Sequence, residues 1–452
     1  MTWLVPIVLG IFAAYAMVVI PRTGFVTVDT IFASSQTLMT IGTLILIDDT
    51  SPVELRYGWI MSGATTLYML SSCLYSFALS LSSRIPVSFN IVEVRSGPGL
   101  KTTLAVSFTI VVAYFVSVGY SAFFLGLSGI FSGAEPDVTT LRLESYSGTR
   151  YLYPGYVNQF KNVVIPALLT LLISSAFSTR GRSANLYAVV LALTAAACLL
   201  ATGQRDALVL FIVVVLCYMY LRARGAADRH YFTRSLYILL GAIPLLMLGT
   251  LVLGRQANSS AAGTLGQSGA LLAEIGERFL FGNQFSGIAG YRYTESLPVS
   301  NGNDWLQGLL GFLPGNRGST LSSEIFRSLY GGTRGTSPPS LWGSIDYNFG
   351  FVGVVVAPIL LAIALQIVAS TVLHRTSYSA LELIGMAGMF VTVGTWTHGG
   401  PSQLLNTGLA TYFLLWVWGR RTGPNSRSAA TRPPAGSAPT AIASYVSTRP
   451  PR

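Results

Sequence analysis

Apolar stretches of 15–28 residues alternate with short polar breaks along nearly the whole chain. A bilayer crossing needs about 20 mostly apolar residues, within a range of roughly 17–25. The pattern predicts eleven spans: Trp3–Ile20, Phe25–Ile47, Gly58–Ser80, Thr103–Ile130, Val163–Phe177, Leu186–Gly203, Ala207–Leu221, Ser235–Leu253, Gly350–Val372, Leu381–Thr397 and Gln403–Trp418. Trp3–Ile20 lacks a basic leader and a small-residue cleavage site, so it reads as a span and not as a signal peptide. Trp3, Trp416 and Trp418 stand at span ends, where aromatic anchors collect. The expected fold class is an all-α polytopic membrane protein with one large extracytoplasmic loop that contains short amphipathic helices. Residues 1–253 carry helices 1–8, 254–349 form the loop, 350–418 carry helices 9–11, and 419–452 form a disordered cytoplasmic tail.

Composition agrees with the pattern. Hydrophobic residues are 51% of the chain, charged residues only 10%, and mean hydropathy is +0.57, against about 25% charged residues in a soluble domain. Cys73, Cys198 and Cys217 all lie in apolar stretches with no CxxC spacing. They read as small buried hydrophobes.

Charge sets the orientation. One set of loops holds 17 basic residues against four acids (Asp29, Glu93, Asp228 and Glu382), whereas the other holds 11 basic and 13 acidic residues. Basic loops stay cytoplasmic, so the N-terminus and the long loop face outside and the tail faces inside. The net charge of +11 is thereby topological, and no nucleic-acid partner is implied. Membrane lipids are the partners that composition implies.

The long loop is not featureless. Leu271, Ile275 and Phe279 recur at helical spacing, as do Leu321, Ile325 and Leu329, whose helix should stop at Gly331-Gly332. Asp304–Pro314 is apolar but too short to span, which predicts a segment dipping into the interface. The loop closes in Ser337-Pro338-Pro339-Ser340-Leu341-Trp342-Gly343, followed by Asp346-Tyr347-Asn348-Phe349-Gly350. The two prolines fix φ, predicting a rigid corner, a turn and then membrane entry at Phe349-Gly350. A second external segment, Phe131–Asn162, gathers Tyr146, Tyr151, Tyr153 and Tyr156 beside Arg142, Arg150 and Lys161: aromatic faces for sugars beside cations for phosphate, or simply an interfacial loop.

Several residues are candidates for chemistry. Arg205, in the turn Thr202–Asp206, and Arg255, past the eighth span, stand at the outer lipid–water boundary. Arg278, Arg292, Arg317 and Arg334 add loop cations. Arginine binds phosphate through a planar two-pronged fork, and outer-face arginines gain nothing from the positive-inside bias. His398 occupies a tight outer turn, Thr397–Ser402; a lone histidine is more often structural, although its pKa suits acid–base work. Asp48-Asp49 is either a solvated acidic turn or a metal site. Walker A, GxSxG and HExxH patterns are absent from the sequence.

The chain resembles the bacterial oligosaccharide repeat-unit polymerases, the Wzy-type O-antigen and capsule polymerases, which are GT-C-like. The resemblance rests on Ser337-Pro338-Pro339-Ser340, Gly343, Tyr347-Asn348-Phe349-Gly350, Gly353 and the Gly203-Gln204-Arg205 turn, together with the late external loop. It implies an enzyme of the bacterial cytoplasmic membrane that transfers a growing glycan from undecaprenyl pyrophosphate onto a lipid-linked repeat unit. Pyrophosphate leaves readily, so arginines need only stabilise its charge, and the attacking hydroxyl needs a general base. On this reading Asp346 and His398 are catalytic candidates. Arg205, Arg255, Arg334, Arg278, Tyr347 and Asn348 bind pyrophosphate or glycan. No metal or other cofactor is required. A chain-length regulator and a flippase are the protein partners it suggests. Two alternatives stay open: a polyprenyl-phosphate monosaccharide transferase using a metal at Asp48-Asp49, and a lipid-linked oligosaccharide flippase or other transporter.

Overall fold

The computed structural model describes residues 1–79, 89–92, 98–132, 154–178, 182–203, 206–226, 241, 244, 281–313, 315–316, 318–332 and 335–422. Apart from one short strand pair, its regular structure is helical. Five of the described helices are long and apolar enough to cross a membrane: Thr2–Thr23, Pro98–Val118, Gly155–Ala176, Asp206–Arg224 and Leu341–Leu373. Asn185–Leu200 and Ala380–Gly394 are apolar but shorter. These features mark a membrane protein.

The expected spans Phe25–Ile47 and Gly58–Ser80 fold as the helices Val28–Leu46 and Pro52–Leu79. They fall outside the apolar class because polar residues lower their mean hydropathy, and in Val28–Leu46 those residues are turned inward. Asp29, Thr30, Gln36, Thr37, Thr40 and Thr43 are all buried, and Thr40 Oγ1 lies 2.8 Å from Thr65 Oγ1 across the helix pair. Small hydroxyls at helix contacts are ordinary membrane packing. Other expected spans shift. Thr103–Ile130 breaks into Pro98–Val118 and Ala122–Ser132, with Gly119 at φ +84° between them. Gln403–Trp418 becomes Ser402–Asn406 and Leu409–Thr422. Ser235–Leu253 apart from 241 and 244, the 271–279 helix and the tail beyond residue 422 lie outside the described residues.

Charges assigned to loops are found inside the bundle. Thr27 caps the Val28–Leu46 helix two residues before Asp29, its hydroxyl accepting from the Thr30 amide while the Thr30 hydroxyl accepts in return. Asp29 is thus helical and fully buried. It accepts from Tyr15 Oη at 2.6 Å, Tyr68 Oη at 2.5 Å, Gln366 Nε2 at 2.8 Å and Ser72 Oγ at 2.9 Å. One carboxylate therefore ties four helices together. Lys161, expected in an external loop, is also fully buried, in a π-helical turn, Phe160–Val164, between Pro154–Gln159 and Ile165–Ser178. Glu382 is buried and paired with Arg375.

Helix ends gather at two poles. At the first, the Met1 ammonium pairs with Asp49, and exposed Trp3 and Trp59 meet edge to face with centroids 6.0 Å apart. At the second, Arg224 Nη1 donates to Thr23 O at 3.3 Å, Ser379 Oγ donates to Gly419 O at 2.8 Å, and strands Asn90–Val92 and Ser377–Ser379 pair in parallel.

The Leu341–Leu373 helix corrects the expected loop-to-membrane corner. Helix begins at Leu341, not at Gly350, because Ser340 caps it, its Oγ accepting from Gly343 N at 3.1 Å. Asp346, Tyr347 and Asn348 are therefore helical. The break comes at Gly350, whose φ of +64° and ψ of −165° suit a residue without Cβ. Residues 351–373 extend roughly 34 Å at helical rise, enough for a bilayer core of about 30 Å. Trp342 reaches down into the bundle, meeting Phe32 and donating to Thr65 Oγ1 at 3.1 Å, whereas Asp346 lies beside Arg56 near the first-pole start of the Pro52–Leu79 helix. The predicted Leu321–Tyr330 helix is present and ends at left-handed Gly331, φ +64°.

Candidate functional site

Four separate pieces of chain meet at the first pole. Pro339 O accepts from Gly399 N at 2.8 Å, and Leu341 N donates to Thr397 O at 2.8 Å. This fixes the His398 turn against the double-proline segment. The Asn283–Glu295 helix packs on the same corner: a Cβ on Gly290 would come 2.9 Å from Pro339 Cα, and one on Gly287 2.7 Å from Tyr57 Oη. Ser337 N donates to Ser322 O at 2.9 Å, which docks the Leu321–Tyr330 helix. The double proline is thus a hub that locks three other segments.

Around this hub stands a charged cluster. Arg56 Nη2 lies 4.0 Å from Asp346 Oδ2, and Arg56 Nη1 lies 3.8 Å from Glu295 Oε1. Arg292 pairs with the buried Glu54. Glu54 also accepts from Asp48 N at 2.8 Å. Tyr57 and Tyr291, the chain neighbours of the two arginines, stack with ring centroids 4.8 Å apart. The two guanidinium side chains are 56% and 57% exposed, whereas Asp346 is 12% exposed. The cluster therefore presents two anchored cations to solvent above a recessed carboxylate.

Electrostatics follow from that placement. Burial pushes the Asp346 carboxyl above its ordinary range, and the Arg56 guanidinium draws it partly back. Burial likewise raises the Tyr291 phenol, with the Asp346 charge adding to the effect. On the neighbouring turn the Thr50 amide and hydroxyl hold Asp48 below the usual carboxylate range. A carboxylate that keeps a proton more readily than usual, beside a permanent cation, is suited to taking a proton from a hydroxyl.

Other sequence candidates land variously. Asn348 is fully buried and holds the loop: its Nδ2 donates to Ser344 O at 2.9 Å, and its backbone carbonyl accepts from Gly302 N at 2.9 Å. Tyr347 O accepts from Ser300 N at 2.8 Å. His398 Nδ1 lies 2.7 Å from Thr397 Oγ1, and its ring lines a cavity of about 50 Å³ with Thr392, Trp396 and Gln403. Ser340, bridged to His398, precedes Asp346 by about 9 Å along the helix axis. Asp49 is held by Met1 and Asp48 by Thr50 at 2.7 Å. Arg205, Arg255, Arg278 and Arg334 lie outside the described residues, as do Arg317 and Tyr146, Tyr151 and Tyr153.

Arg56 was not among the sequence candidates. Its signal was the acid and base Glu54 and Arg56 at the start of an apolar run. A charge at the mouth of a span reads as a boundary marker until a partner is seen. Arg292 was one loop cation among several, and its stacked neighbour Tyr291 gave no periodic signal.

No protein-family model matches the chain, and neither the curated proteins nor the solved structures contain a match to it.

Proposed function

We propose that this protein is a membrane glycosyltransferase that polymerises undecaprenyl-pyrophosphate-linked oligosaccharide repeat units at the outer face of the bacterial cytoplasmic membrane. The observation that carries this reading is the recessed Asp346 beside exposed Arg56, one turn or so from the aromatic pair Trp3–Trp59. Aromatic residues of this kind settle at the membrane–water boundary. A lipid-linked pyrophosphate has its reacting carbon at that same level.

In this reading Asp346 accepts the proton of the acceptor hydroxyl as that oxygen attacks the donor's anomeric carbon. The bond from that carbon to the pyrophosphate oxygen breaks, and undecaprenyl pyrophosphate leaves with the electron pair. Arg56 and Arg292 hold phosphate or glycan oxygens, and permanently charged donors at a partly desolvated edge stabilise the departing charge. Arg205, Arg255, Arg278 and Arg334 supply further cations, Tyr347 faces the glycan side, and His398 is the second base candidate. Eleven spans, an external N-terminus and an internal tail complete the reading, and the resemblance to Wzy-type polymerases supports it. The transfer needs no metal or cofactor. A chain-length regulator and a flippase are the expected protein partners.

The test is direct. Purified protein in lipid nanodiscs, given lipid-linked repeat units alone, should produce a ladder of products spaced by one repeat. A single monosaccharide addition dependent on a polyprenyl-phosphate sugar and a divalent cation would move the assignment to the monosaccharide transferase.

A further inference from the structure

The Asn303–Leu310 helix is amphipathic in the reverse sense. Leu306, Leu309 and Leu310 recur at i, i+3 and i+4, one face of the helix, and Leu313 follows at i+7 in the turn beyond its end. All four are exposed, Leu306 and Leu313 by 55% and 53%. The side turned to the protein is small or aromatic. A Cβ on Gly308 would come 2.9 Å from Ser402 Oγ, and Trp305 Nε1 donates to Ser344 Oγ at 2.8 Å. A helix that packs on glycine and offers leucine outward needs an apolar partner on its open face.

Its place in the fold identifies that partner. Trp305 meets Phe349 edge to face with centroids 5.1 Å apart, and Phe349 is the last residue before the Gly350 break. Below the break, Phe351 and Val352 are 70% and 71% exposed on the spanning helix. The leucine stripe thus continues the apolar face of a bilayer-length helix at the level where that helix leaves the bilayer. None of the four outward positions is charged.

We infer that the Asn303–Leu310 helix lies in the membrane surface at the first pole, with Leu306, Leu309, Leu310 and Leu313 among the acyl chains of that leaflet. Apolar faces of such helices sit roughly 5–10 Å into the headgroup boundary. The helix is tied to the residues around Asp346, since Ser300 N and Gly302 N donate to Tyr347 O and Asn348 O at 2.8 and 2.9 Å. The leaflet thereby sets the height of the Asp346 helix above the bilayer. This inference does not depend on the proposed reaction.

Nitroxide labels at Leu310→Cys and, separately, Leu306→Cys test it in nanodiscs, with the wild type labelled in parallel as background. Val299→Cys serves as the aqueous reference and Val356→Cys as the lipid reference. The collision ratio of oxygen to a water-soluble nickel chelate should be several-fold higher at 310 and 306 than at 299, approaching that at 356. A ratio equal to that at 299 would overturn the inference in favour of a water-exposed lid. Low collision with both reagents would overturn it in favour of protein cover, and spin–spin broadening would identify that cover as a second copy.

Discussion

Asp346 feels two opposed influences: burial raises its proton affinity and Arg56 lowers it. The base is competent only when deprotonated, so elongation falls as pH drops through this raised value. Arg56→Ala removes the lowering influence and leaves burial. The acid limb of the pH–rate profile should move to higher pH, while Arg56→Lys, still charged, should leave it nearer the wild-type position. A rate profile unmoved by Arg56→Ala would separate Arg56 from Asp346. Legibility at this scale was partial. Asp346 stood out as the acid inside the Ser337–Gly350 signature, where the resemblance calls for a base. Arg56 stayed hidden because its partners Glu295 and Asp346 are some 240 and 290 residues away in sequence, and no local pattern encodes such a contact. Asn348 was visible as polar, but its role in holding the 300–302 turn depends on tertiary packing.

At the scale of elements, hydrophobic periodicity found the helices and misjudged some ends. Leu321, Ile325 and Leu329 with Gly331 predicted a helix and its stop, and both are present. Gly343 and the polar triplet Asp346-Tyr347-Asn348 suggested a turn, yet the Ser340 cap outweighs that glycine, because packing of Trp342 and Ile345 into the core supplies what propensity lacks. Thr and Ser in Val28–Leu46 diluted its apolar signal without removing it from the bundle. Asp29 is the extreme case. Its four donors come from the helices that hold Tyr15, Tyr68 with Ser72, and Gln366, all closing on a carboxylate of the Val28–Leu46 helix. Asp29→Ala takes the Asp29 acceptor from the buried Tyr15, Tyr68 and Ser72 hydroxyls, each worth about 1–3 kcal/mol, while Gln366 Nε2 keeps Ser72 Oγ. The variant should unfold at clearly lower temperature in detergent, with a stability loss of about 3 kcal/mol or more. An unchanged unfolding midpoint would mean that the cluster does not hold the helices together.

For the whole molecule, the alternating helices place Met1, the 47–54 turn, the 283–349 segments and the His398 turn at one pole, and Thr23, Arg224, Arg375 and Gly419 at the other. The charge bias of the loops leads us to propose that the first pole faces outside. Cysteine at Val299 should accordingly react with an impermeant maleimide on intact cells, and one at Ser426 only after the membrane is opened; the reverse pattern would invert the orientation. The sequence made this bipolar arrangement legible, because span alternation and basic loops are written locally. The buried positions of Asp29, Lys161 and Glu382 were not, since the same residues at a span end read as solvated until their partners are known.

The central claim is that Asp346 acts as a base at an arginine-flanked membrane-edge site. Asp346→Asn preserves shape and removes the charge, so one paired measurement on the purified variant is decisive: retention of lipid-linked donor, and length of the glycan ladder formed from it. The account predicts donor retained near the wild-type level with elongation reduced about 100- to 10,000-fold, the usual contribution of a positioned base. A variant that binds donor and extends it at the wild-type rate would contradict the account.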